Sequence, residues 1–366
     1  MPHDISTAPA PDEPTPHVEA PRTPDKPHPA PDEATHAPDE PLRATGEALR
    51  ASDEAVRVSD EAGGGSDAAL RASDEATRVY AEHRELLFSI VYNLLGSVAD
   101  TEDVLQDTWL AWAARGTDGV EKPRAYLVRI AVNTALARQA AVARRRESYP
   151  GPWLPEPLVA DAGAGEDAAD DAARGEAVSL AMLVVLETLT PLSRAVFILH
   201  EVFGYPHTEI AEILDRSPAS VRQVAHRAKL HVRSRRTRRT VDRRTQREAT
   251  RRFLAAALGG DLAALMEILA PDVTMWTDGG GRARAALRPV RGRDKVVRLI
   301  AGGTFRRPDN LDVRYRTVNG DPSAVLFDED APFAVMVLDL SPDGERVEGI
   351  YAVTNPEKLT HVTDDE

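Results

Sequence analysis

Residues 208–230, TEIAEILDRSPASVRQVAHRAKL, constrain this chain more than any other stretch. Ile210, Ala211, Ile213 and Leu214 give a short helix one apolar face. Asp215-Arg216 then breaks the run, and Ser217-Pro218 supplies an N-cap followed by proline at the first helical position. A second helix restarts there with Val221, Val224, Ala225 and Ala228 at three-to-four-residue spacing, which leaves Arg222, Gln223, His226, Arg227 and Lys229 on or beside its outward face. Arginine and glutamine pair bidentately with base edges, and a helix-turn-helix lays such a second helix in the major groove. An ordinary helical hairpin with a solvated face shares the periodicity, but it does not require cap, turn and cationic face together.

A net charge of −14 sits badly with that reading until it is divided along the chain. Residues 1–62 hold fourteen acids against five bases, and residues 155–177 hold seven against one, so these two stretches carry the whole excess. Between residues 216 and 252 lies the opposite: Arg233, Arg235, Arg236, Arg238, Arg239, Arg243, Arg244 and Arg247 make a dense local positive field. With no cysteine, disulfides and thiolate metal sites are excluded. No cofactor or metal is expected. Nothing is long and apolar enough to span a bilayer, and residues 1–40 lack the pattern of a signal peptide. A cytoplasmic location and no membrane partner are therefore expected.

At 366 residues the chain has room for two or three domains. Residues 1–41 are proline-rich with recurring APDE and few large apolar groups, so disorder is expected. The repeats LRASDEA and VRVSDEA between residues 49 and 76 carry too thin a hydrophobic stripe for a coiled coil, which reads as irregular or transient helix. Order is expected from about Tyr80. Leu86, Leu87, Ile90, Val91, Leu94 and Leu95 form a helical stripe that ends at Gly96. In DTEDVLQDTWLAW, Val104, Leu105, Thr108 and Trp109 can face a core while Glu102, Asp103, Gln106 and Asp107 form an acidic outer strip. A third helix starts at Lys122-Pro123, carries Leu127, Ile130, Ala131 and Thr134, and ends in Arg144-Arg145-Arg146.

These segments, DTEDVLQDTW with PRAYLVRIAVNTAL and then LTPLSRAVFILHEVFGYPHTEIAEIL with the second helix of the turn motif, resemble regions 2 and 4 of extracytoplasmic-function sigma factors. The resemblance implies a transcription initiation factor whose partners are core RNA polymerase and promoter DNA. Asp103, Gln106, Asp107 and Trp109 match the helix that docks on the polymerase clamp. Arg124, Tyr126, Asn133 and the cluster Arg144, Arg145 and Arg146 fall on the helix that opens the −10 element. Arg222, Gln223, His226, Arg227 and Lys229 would read the −35 element.

Between the two regions, YPGPWLPEPL and an Ala/Asp/Gly tract read as a linker. Trp153 argues against a mere spacer, because an indole is costly to leave wet. WLPEPL resembles the linker of the sigma group that carries an extra C-terminal domain. After residue 248 two amphipathic helices and short strands at 273–276, 313–318, 324–327, 333–338 and 347–353 predict a curved antiparallel sheet under helices. This α+β cone resembles the SnoaL-like, NTF2-like fold. Asp278, Gly279, Gly280, Gly281 and Arg282, and Asn355, Pro356, Glu357, Lys358 and Leu359, match that group's signature segments. Lysine is more usual at Arg282 and aspartate at Glu357. They are the expected regulatory residues.

The expected organisation is multidomain: a disordered extension over 1–79, all-α region 2 over 80–148, a linker over 149–177, an all-α helix-turn-helix region 4 over 178–240, and the cone over 248–366. A small ligand of the cone is a possible further partner. Two other classes compete with the sigma reading. One is a ligand-sensing helix-turn-helix regulator, which needs no acidic polymerase-facing helix. The other is a cyclase or isomerase with a DNA-binding module, in which Asp278 and Trp276 would work in a cavity. No clear acid and base pair supports the enzyme.

Overall fold

Thirty-one residues of unbroken helix, α1 (Gly65–Leu95), form the spine of the N-terminal helical unit in the computed structural model. The structure describes residues 65–117, 119–160, 178–235, 241–302, 308 and 310–363. All belong to one compact unit, Ser59–Glu366. The expected extension over 1–79 lies mostly outside the described residues. Where it does not, the expectation is corrected: order starts before Tyr80, because the second LRASDEA segment is part of α1. Ala76 and Val79 are buried there, and the Trp112 indole donates to the Ala76 carbonyl at 2.8 Å. A stripe too thin to hold a helix alone is stabilised by docking.

Gly96, at φ 69°, ends α1, and α2 (Val98–Arg115) follows after the Ser97 cap. α3 (Pro123–Glu147) crosses both, closing a three-helix unit around Leu87, Ile90, Val104, Trp112, Leu127 and Ala131. The helix-turn-helix unit comprises α4 (Leu180–Leu186), α5 (Pro191–Phe197) with a π-helical turn at Ile198–Val202, α6 (His207–Leu214) and α7 (Pro218–Arg235). The turn is built as its residues dictate. Asp215 takes the left-handed conformation that ends α6, and the Ser217 hydroxyl accepts from the Ser220 amide at 3.2 Å.

The cone begins with α8 (Arg243–Gly259), capped by Asp242, and α9 (Leu262–Ile268). Strand β1 (Leu269–Asp278) leads through the glycine loop to β2 (Val290–Arg291) and α10 (Arg293–Ala301). Strands β3 (Leu311–Val318), β4 (Asp321–Asp328), β5 (Ala331–Leu340) and β6 (Val347–Val353) complete the sheet, in the order β2-β1-β6-β5-β4-β3. The sheet is mixed rather than antiparallel throughout, since β1 and β6 run parallel. Asn319-Gly320, both at positive φ, makes the β3–β4 hairpin turn.

Each face of this sheet has its own cover. Phe253, Leu254, Leu265 and Val296 from the three helices pack on one face against Met275, Leu326, Met336 and Ile350. The opposite face, with Val325, Phe327, Val335, Val337, Tyr351 and Val353, is covered by residues far earlier in the chain: Leu154 and Val159 of the linker, and Leu180, Ala181 and Val184 of α4.

Candidate functional site

Asp278, at the end of β1, is wholly buried, and four donors converge on its carboxylate. The Tyr149 hydroxyl (2.6 Å) and the Gly280 amide (3.2 Å) donate to Oδ1, while the Leu154 amide (2.8 Å) and the Lys358 ammonium (2.8 Å) donate to Oδ2. The Lys358 ammonium also donates to the Leu154 carbonyl, and Asn355 Nδ2 donates to the Tyr149 hydroxyl at 2.8 Å. The two glycine-rich and NPEKL segments are thus brought together around one linker strand. Burial lowers the Lys358 pKa to about 8 against the opposing pull of Asp278, and burial with the neighbouring Asp278 pushes the Tyr149 phenol upward.

Trp153 is held between two cations, with the Arg146 guanidinium 3.5 Å and the Lys358 ammonium 4.0 Å from its ring centre. It packs on Gly96 so closely that a Cβ there would lie 3.0 Å from its ring. Glu156 continues the linker on the helical side. Its carboxylate accepts from the Val98 amide at 2.6 Å, at the start of α2, and from the Ser97 hydroxyl at 3.1 Å. Its carbonyl accepts from the Tyr92 hydroxyl at 2.5 Å. Asn319 then donates to that hydroxyl at 2.8 Å and accepts from the Leu158 amide at 3.1 Å. Residues 149–158 therefore bond to the first helical unit on one side and to the cone on the other.

The two helical units also touch directly. Glu187, just past α4, accepts from both Arg146 and the buried Arg194, whose Nε donates to the Asn93 carbonyl at 3.0 Å. Asn133 on α3 donates to the Ile213 carbonyl of α6 at 2.9 Å. Arg124 lies 5.9 Å from the Tyr205 ring centre.

The structure distributes the candidate residues unevenly. Arg222, Gln223, His226 and Arg227 are exposed together on α7, whereas Lys229 is tied to Glu201 at 2.7 Å. Gln106 is exposed, and Asp103 and Asp107 are half-exposed, but both carboxylates also reach Arg138 of α3. Trp109 is half-buried against Tyr80, with ring centres 5.2 Å apart. Arg144 is exposed, and Arg145 pairs with Asp100 at 2.6 Å. Besides Asn133, whose side chain is bonded to Ile213, two more residues expected at DNA face the protein instead. Tyr126 packs on Trp112 at 5.9 Å, and the Arg146 guanidinium is occupied by Glu187, the Leu95 carbonyl and Trp153. Asn355, Lys358 and Leu359 are buried, while Pro356 is exposed and Arg282 pairs with Glu357 at 2.5 Å in solvent. The residues that sequence reasoning missed are Tyr92, which lies off the apolar stripe of its helix, Tyr149 and Glu156, which fell in the linker, and Asn319, which lies in the β3–β4 turn.

Four donors already occupy the Asp278 carboxylate, which leaves it no lone pair for a substrate. A shallow cleft of about 220 Å³ lies between α8 and the β5–β6 hairpin, lined by Arg244, Glu248, Arg252 and Arg346. No helix among the described residues is long and apolar enough to cross a membrane, and no group of three or more metal-ligating side chains occurs among them.

Comparison with known proteins agrees with this architecture. Residues 79–146 match the sigma-70 region 2 family, and residues 179–232 match sigma-70 region 4. The chain is 36% identical over 288 residues to the ECF RNA polymerase sigma factor SigJ of Mycobacterium tuberculosis, covering 76% of this chain and 91% of that protein. It is 28% identical over 282 residues to a probable ECF sigma factor, SigI, from the same organism, covering 76% of this chain and 92% of that protein. The crystal structure of M. tuberculosis SigJ superposes with a TM-score of 0.61 at 33% identity, covering 79% of this chain and 99% of that one. The chain belongs to the extracytoplasmic-function RNA polymerase sigma factors. It is a transcription initiation factor rather than an enzyme, with the SnoaL-like cone as its C-terminal extension.

Proposed function

We propose that the cone modulates promoter-specific initiation by holding regions 2 and 4 in a closed arrangement, in place of a separate anti-sigma factor. The observation that carries this is the two-sided bonding of residues 149–158, which ties region 2 to the cone through Glu156, Tyr92, Asn319, Asp278 and Lys358. Asn133, on the helix proposed to open the −10 element, lies beneath the helix-turn-helix in this arrangement, so productive binding requires the two regions to separate. Arg222, Gln223, His226 and Arg227 then read the −35 element, with Lys229 joining them once freed from Glu201. Arg124 and Arg144 serve the −10 element, with Arg145, Arg146 and Tyr126 available only after rearrangement. Asp103, Gln106, Asp107 and Trp109 dock on the polymerase clamp. We assign the domains as region 2 over 80–148, preceded by the last turns of the extension, region 4 over 178–240 and the cone over 248–366. Action on promoter DNA places the protein in the cytoplasm.

Among the described residues, the cleft beside α8, lined by Arg244, Glu248, Arg252 and Arg346, is where a small ligand of the cone would bind. The test is run-off transcription with core RNA polymerase, comparing the full chain, a chain ending at Arg235, and the full chain carrying Asp278→Asn. Different yields at equal concentration support the proposal, and equal yields from all three overturn it.

A further inference from the structure

Residues 282–298 carry seven cations and one carboxylate, whereas the rest of residues 241–366 carries eleven cations and twenty carboxylates. The cone is therefore acidic with one basic strip. Five of the seven stand together in the fold. Arg284 and Arg288 lie in the loop after Gly281, Arg291 lies on β2 at the outer edge of the sheet, and Lys295 and Arg298 lie on the outward side of α10. All five are exposed, and among the described residues none has a carboxylate partner. Protecting a two-residue edge strand from pairing needs one such charge, not five. In their midst Leu287 is 73% exposed.

The strip also has a neighbour. Gly151 lies against Leu287, so that a Cβ on the glycine would come 3.6 Å from Leu287 Cα. Arg144, exposed at the end of α3, is only seven residues before Gly151, a span of at most about 25 Å. The basic end of region 2 is thus joined by a short span of chain to the basic strip of the cone.

We infer that Arg284, Arg288, Arg291, Lys295 and Arg298 form a phosphate-tracking surface that extends the DNA contact of region 2 onto the cone, along duplex flanking the −10 element. Unpaired, exposed cations without ordered partners suit a sequence-independent backbone contact, which releases counterions and leaves base reading to regions 2 and 4. This goes beyond the closed arrangement proposed above, since it needs only that the cone remain beside region 2 in the promoter complex.

The experiment uses the full chain with core RNA polymerase and a linear promoter duplex selected from a randomised library by that holoenzyme. Replacing all five residues with glutamine should make the slope of log affinity against log salt shallower by roughly 2 to 4, at about 0.9 per lost phosphate contact. Because the chain has no cysteine, Leu287→Cys gives a unique thiol for an iron chelate. Hydroxyl-radical cuts next to the −10 element are expected from it. An unchanged salt slope, or no cuts above background, overturns the inference. So does loss of core polymerase binding by the glutamine variant with its DNA salt slope intact, which would assign the strip to an acidic protein surface.

Discussion

Lys358 and Asp278 form an ion pair at 2.8 Å, with the two side chains 6% and 0% exposed. A buried pair adds little over apolar packing, yet removing one partner leaves the other charge stranded. Asp278→Ala should therefore destabilise the folded chain by about 3–5 kcal/mol. Adding Lys358→Met should restore a large part of that loss. Urea unfolding of the two single variants and the double variant checks this, and additive losses would show that the residues act independently.

The same lysine gives a pH signature. Its folded pKa of about 8 lies below the ordinary lysine value of about 10.4, so its contribution is complete above about 10.4 and lost as pH falls through 8. Tyr149 behaves oppositely: its raised pKa adds stability that is present below about 10 and lost only at higher pH. Between pH 8 and 10 the lysine acts alone. Over that window the stability of the native chain relative to Lys358→Met should rise, by at most about 1.4 kcal/mol per pH unit. A flat difference in unfolding midpoint would count against the shift.

Two glycines at positive φ separate backbone strain from crowding. A Cβ on Gly280 would stand 2.4 Å from Asn355 Nδ2, whereas one on Gly260 meets nothing within 4 Å. Gly260→Ala should cost about 1 kcal/mol from conformation alone. Gly280→Ala should cost more and should also displace Asn355 from Tyr149. Paired thermal melts, with transcription assayed in parallel, check both.

On the recognition helix, Arg222→Ala and Arg227→Ala should each weaken promoter binding by about 1–3 kcal/mol if they reach bases. Mobility-shift titration of holoenzyme on the selected promoter reads this. Affinity unchanged in both variants would remove α7 from the groove.

Reversal of Asp103 and Asp107 to lysine should abolish capture of core polymerase. Because Arg138 bridges both carboxylates, Arg138→Gln is the control: it breaks the tie between α2 and α3 but leaves the acidic strip in place. Pull-down of core enzyme by the control and not by the reversed variant is the expected pattern.

The helix-turn-helix was legible because its cap, its left-handed Asp215 and its apolar spacing are all local. The strands were legible for the same reason, but the parallel pairing of β1 with β6 joins residues about 75 apart and leaves no local trace. Asp278 and Lys358 could be singled out only by resemblance, and nothing nearby in sequence pairs them. Tyr92 and Asn319, 227 residues apart, share a hydrogen bond that no periodicity could announce. The start of α1 was misplaced because its stability comes from Trp112 docking on Ala76 rather than from its own composition.

Because the cone's sheet is finished on one face by Leu154, Val159, Leu180 and Ala181, a ribosome makes the cover well before the surface it belongs to. The residues from Arg235 to Lys358 take on the order of ten seconds to synthesise. During that interval the linker between regions 2 and 4 lacks its cover on the cone, and the ion pair that fastens it cannot form until Lys358 has been made. Each new molecule thus passes through a stage in which regions 2 and 4 are made but the ion pair that fastens their linker is not.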